Sequence, residues 1–100
     1  MAQPVIWTLS SFEDFEAVTA FIAKDSRHYS AAFAREVLEA ASTLTSFQNR
    51  GRIVPEFAIP GIREIFVRNY RLIYREDEKE VLILGFIHGS RDLPALWANR

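Results

Sequence analysis

Residues 62–93, IREIFVRNYRLIYREDEKEVLILGFIHGSRDL, contain three strand-like runs joined by two short polar breaks, and this restricts the chain more than any other feature. Runs so close together imply hairpin connections, so the spacing predicts an antiparallel meander. In period two, Ile65 and Val67, then Tyr70, Leu72 and Tyr74, then Val81, Ile83 and Ile87 share a face that should meet the core. The opposite face carries Glu64, Phe66 and Arg68, then Arg71, Ile73 and Arg75, then Leu82, Leu84, Phe86 and His88. Arginine is depleted from dry cores and suited to phosphate or carboxylate recognition. Arg71 and His88 on neighbouring strands of this face are therefore the first candidates for function, a solvated face with surface ion pairs being the alternative.

The segments before the meander change period. Val5 to Leu9 alternates as a strand, and Ser10 with Glu13 has the spacing of a capping box. Phe12, Phe15, Val18, Phe21 and Ile22 then recur at helical spacing as far as about Lys24. The turn-forming stretch Asp25 to Ser30 predicts a helix hairpin, with Ser30 as the next N-cap. Phe33, Val37, Ala40 or Ala41, Leu44 and Phe47 extend the second helix, and Gly51 is placed to end it in a left-handed turn. Arg52 to Gly61, with two prolines, reads as an extended connector closed by a Pro-Gly turn. After the sheet, Leu93 to Arg100 forms a last helical turn or an irregular tail, with Trp97 packed back on the domain.

The expected order is strand, helix, helix and three strands. This is an α+β fold in which the helix hairpin covers one sheet face and a long crossover adds the first strand. One hundred residues with 49% hydrophobic content suit a single domain, 1–100, with its own core.

Several chemistries are poorly served by this composition. With no cysteine and two distant histidines, no conventional zinc site is expected. The four glycines form no phosphate-binding loop or dinucleotide fingerprint, and Ser, His and Asp follow no triad pattern. We expect neither metal nor cofactor. The start MAQPVIW lacks a basic region followed by a long apolar run, so a cytoplasmic protein with no membrane partner is expected. Net charge is −1, but residues 1–49 carry −3 and residues 50–100 carry +2, so the strand half is the basic half. His28 reads as an exposed turn residue. His88, Arg71 and Glu56 could act as general acid, phosphate clamp and general base for cleaving RNA at a 2′-hydroxyl, the alternative being a structural hydrogen bond at His88.

The segments GRIVPEF, PGIREIFVRNYRLIYR and VLILGFIHGSRDL, following a strand and a helix hairpin, together resemble the RelE/ParE superfamily of type II toxin–antitoxin toxins. The resemblance covers essentially the whole chain. Its most specific pieces are Pro55-Glu56, Arg63-Glu64, Tyr70-Arg71 with Tyr74, and His88 followed by Arg91, Asp92 and Leu93. ParE-like members inhibit DNA gyrase, whereas RelE-like members cut mRNA in the ribosomal A site. Lys24 and Lys79 are the only lysines and no tyrosine follows His88, so the sequence is more similar to ParE.

The resemblance implies a toxin neutralised by a cognate, ParD-like antitoxin, with gyrase as target; the alternative target is the ribosome with its mRNA. Arg71, Arg75, Arg91 and Trp97 are candidates for target binding. Phe12, Phe15, Phe33 and Phe47 are candidates for antitoxin binding. Glu56, Arg71 and His88 would be catalytic only in the endonuclease alternative.

Overall fold

The computed structural model describes residues 2–98. Strand β1 (Val5–Trp7) leads directly into α1 (Leu9–Ala23), which is followed by α2 (Arg27–Ser42) and a short 3-10 turn, Thr43–Thr45. Strands β2 (Arg52–Ile53), β3 (Ile62–Val67), β4 (Tyr70–Glu76) and β5 (Val81–His88) and helix α3 (Leu93–Trp97) complete the chain. The strands form one sheet in the order β1-β5-β4-β3-β2. Strand β1 lies parallel to β5 and the other pairs are antiparallel. The expected meander is present. The structure adds the short edge strand β2, made from the connector, and a definite α3; Asn99 and Arg100 of the expected tail lie outside the described residues.

Helix boundaries depart from the expected caps. Thr8, not Ser10, caps α1, accepting the Ser11 N–H on its hydroxyl at 3.3 Å. Thr8 is still extended as it leaves β1, so its side chain reaches the first free amides, and its hydroxyl also donates to the Ile83 carbonyl at 2.9 Å. Ser26 caps α2. Ser30 is buried one turn later, where its hydroxyl donates to the Thr19 carbonyl at 2.7 Å and ties the two helices together.

Gly51 does not end α2. The helix gives way to the 3-10 turn well before it, and the glycine in the left-handed region is Gly61, at φ 92°, in the Pro60-Gly61 turn. Gly51 is required by close approach instead. A Cβ there would collide with the Glu64 carbonyl and lie 2.8 Å from the Tyr74 hydroxyl. That buried hydroxyl donates to the Gln48 carbonyl at 2.7 Å and accepts the Gly51 N–H at 2.9 Å, fastening the connector to the sheet. Burial raises the Tyr74 pKa against the opposing effect of the Gly51 bond, so the phenol stays protonated to serve as that donor.

Both sheet faces are covered. On the helix side Phe15, Phe33, Val37, Leu44, Ile65, Leu72, Ile83 and Phe86 form the larger core. On the other side Val54, Ile73, Ile87 and Leu93 form a smaller one, roofed by Phe57, Leu96 and Trp97. Trp97 packs on Phe57 with ring centroids 5.4 Å apart, in keeping with the reading that it folds back.

One irregularity decides which residues share a face. Between Ile73 and Tyr74 the β4–β5 register shifts: Ile73 pairs with Gly85 and Tyr74 with Ile83, leaving Leu84 as an extra residue. The bulge inverts the alternation for the rest of β5. Phe86 therefore lies in the helix-side core and Ile87 in the opposite one, the reverse of the uninterrupted period-two expectation.

Candidate functional site

Arg71 is the centre of a buried ion network on the sheet face away from the α1–α2 hairpin. Its Nη1 and Nη2 donate to the two carboxylate oxygens of Glu56, each at 2.7 Å. Its Nε donates to Oε1 of Glu64 at 2.5 Å, and Arg52 Nε donates to Oε2 of Glu64 at 2.7 Å. The Glu64 side chain is wholly buried, so its charge requires both guanidinium partners. The local turn makes the network possible. Val54 is buried beneath residues 54–58, whose amides at Phe57 and Ala58 bond back to the Val54 carbonyl, and Ala58 takes a left-handed backbone, φ 51°. This folds Glu56 over β4.

The network is electrostatically closed. Two arginines face two glutamates, and all three nitrogens of the Arg71 guanidinium already donate to carboxylate oxygens. The hydrogen bond from Arg71 holds the Glu56 carboxyl at about 2, well below its ordinary 4.5, with burial opposing the shift. The same bonds raise the Arg71 pKa. A depressed folded-state pKa contributes stability above the unfolded value and loses it as pH falls through the folded one. The melting temperature is therefore expected to decline between pH 4.5 and about 2 in part through Glu56. Glu56→Gln should make that decline shallower, as measured by thermal unfolding across the range; parallel curves would refute it. At 32% side-chain exposure, solvent screening keeps the effect modest.

His88 is not part of this site. The bulge places it across from Tyr70 on the helix side, in edge contact with that ring at 5.1 Å, while Ile87 occupies the position across from Arg71. The expected juxtaposition of Arg71 and His88 is thus corrected: Glu56 and Arg71 come together, and His88 is on the other face. Glu64 carries more of the site than the sequence suggested. Its signal was available, since Glu64 and Arg71 sit diagonally across a two-residue hairpin on one face.

The remaining candidates divide by exposure. Arg71 and Trp97 are occupied by internal contacts, whereas Arg75 and Arg91 are exposed, Arg75 pairing with Asp77 at 3.4 Å. Phe15 and Phe33 are core residues, because the inward face of each helix needs its largest ring against the sheet; they offer no surface to a partner. Phe12 and Phe47 are exposed. Among the described residues, no helix is long and apolar enough to cross a membrane.

The fold has known counterparts. A chain from the chromosomal ParDE toxin–antitoxin system of P. aeruginosa superposes with a TM-score of 0.72, at 19% identity over 87% of this chain and 96% of that one. A chain of the toxin–antitoxin complex RelBE2 from Mycobacterium tuberculosis gives 0.61, at 25% identity over 88% and 99% respectively. No curated protein matches. The sequence profile described as the ParE toxin of the type II toxin–antitoxin system parDE matches residues 5–93, from β1 to the start of α3. With the sheet order and the helix hairpin in place over that whole span, the chain belongs to the ParE toxin family of type II toxin–antitoxin systems.

Proposed function

We propose that this toxin acts by inhibiting DNA gyrase, without covalent chemistry of its own, and is neutralised by a cognate, ParD-like antitoxin. The observation that carries this reading is the state of Arg71. A guanidinium held by Glu56 and Glu64, with Ile87 rather than an imidazole beside it, is a poor phosphate clamp for RNA cleavage. Arg75 and Arg91 are the exposed candidates for contact with the target. Phe12 and Phe47 are the candidates for contact with the antitoxin, and Leu9, exposed three residues before Phe12 on α1, extends the first of these surfaces. The protein acts in the cytoplasm, where its target is found.

The test adds purified protein to gyrase with plasmid, beside a translating extract probed for cleaved message. Loss of supercoiling with linearised plasmid and intact message is expected, unchanged by His88→Ala. Cut message with normal supercoiling would overturn the reading in favour of a ribosome-dependent endonuclease.

A further inference from the structure

A cleft of about 330 Å³ lies at the free end of β5, where that strand has outrun β1. Strand β1 pairs only with Val81, Leu82 and Ile83, so the outer edge of residues 84–88 faces α1 and α3 instead of a strand. An open sheet edge needs partners for its amides. The Phe86 N–H finds one in the Asp14 carboxylate, at 3.1 Å. Next along the edge is His88. Gly89 donates inward to the Asn69 carbonyl at 2.7 Å, so by the alternation of the ladder the His88 N–H points outward, as that of Phe86 does.

The surroundings of the two amides differ. Phe86 has an acid beside it, and His88 has basic groups. Arg91 is held near by its backbone N–H on the His88 carbonyl, at 3.0 Å, and no carboxylate pairs with its guanidinium among the described residues. The imidazole is oriented too. The Ser90 N–H points at His88 Nδ1 at 3.1 Å and the Ser90 hydroxyl lies 2.7 Å from the same nitrogen, an arrangement that suits the tautomer in which Nδ1 accepts and Nε2 carries the proton. The amide, Nε2–H and the guanidinium are all donors, and Val18 and Leu96 supply apolar walls beside them.

We infer that this end of the cleft binds a carboxylate side chain, presented by a protein segment in which an acidic residue is followed by an apolar one. The carboxylate takes the fork of Arg91 and the His88 donors, as Asp14 takes the Phe86 amide, and the apolar neighbour rests on Val18 and Leu96. A singly charged carboxylate fits better than phosphate, because the Asp14 carboxylate also lines the cleft and repels a second negative charge. The inference shares Arg91 with the candidates for target contact, but its readout, peptide binding in the absence of gyrase, is separate.

The probe is acetyl-Glu-Leu-amide, titrated into isotope-labelled protein and followed by the His88 and Arg91 nitrogen resonances. Saturable shifts at both residues are expected, with acetyl-Gln-Leu-amide and inorganic phosphate binding at least about tenfold more weakly. Arg91→Ala should weaken the Glu peptide by about tenfold or more, and Arg91→Lys, which keeps the charge and loses the fork, by less. Arg91 is exposed, so an unchanged amide spectrum elsewhere checks that each variant is folded. Equal binding of the Glu and Gln peptides, tighter binding of phosphate, or full binding by Arg91→Ala would overturn the assignment.

Discussion

Replacing Arg71 with alanine should lower the unfolding free energy by about 3–5 kcal/mol and the melting temperature by well over ~10 °C. The argument rests on what is left behind. Glu64 would remain fully buried with Arg52 alone, and Arg52 is mostly in solvent, so one buried carboxylate loses the partner that shares its burial. Glu56 would lose both its hydrogen bonds at once. Urea unfolding of the purified variant measures the loss. A volume-matched pair, Arg71→Met with Glu64→Leu, should recover most of it, because the wholly buried charge is gone and the two groups that lose their partners, Glu56 and Arg52, are open to solvent. A loss below about 1 kcal/mol for Arg71→Ala would show that the network contributes little, as exposed ion pairs do.

Phe86→Ala should cost a further about 3–5 kcal/mol in the wild-type background, while Phe66→Ala should stay within about 1 kcal/mol. The two phenylalanines were expected on the same face, and their fates differ because of one bulge. Phe86 is 2% exposed, stacked on Tyr70 at 5.1 Å and set against Phe15 and Phe33 at 5.9 and 6.1 Å. Truncating it opens a cavity where the sheet meets both helices. Phe66 is 51% exposed, with the Arg52 guanidinium over its ring at 5.3 Å. Chemical unfolding of both variants decides the matter. Comparable losses would mean that β5 keeps its alternation through Leu84 and that the register shift is absent.

Much of the architecture was legible because it rests on local rules. The three runs between Ile62 and His88 became β3, β4 and β5, and the phenylalanine stripe from Phe12 to Phe21 became α1. The caps were misplaced by local rivals. Thr8 and Ser26 took the positions expected of Ser10 and Ser30, since any hydroxyl at the last extended residue can fold onto the new helix. Gly51 was legible as necessary but not for the right reason. Its need comes from Glu64 and Tyr74, residues distant in sequence.

The candidate site was half legible. Glu56 and Arg71 were named together, and the structure pairs them, but the third member was lost to the other face. By itself the sequence determined the element order, the meander, the helix hairpin and the residues able to face a core, because periodicity and chain connectivity are local properties. Only the tertiary structure decided that Leu84 is bulged, that His88 looks toward Tyr70, and that Arg71 is closed off by Glu56 and Glu64. A single extra residue in a ladder reverses every side chain beyond it, and whether it is accommodated depends on the packing of both faces, which no local pattern records.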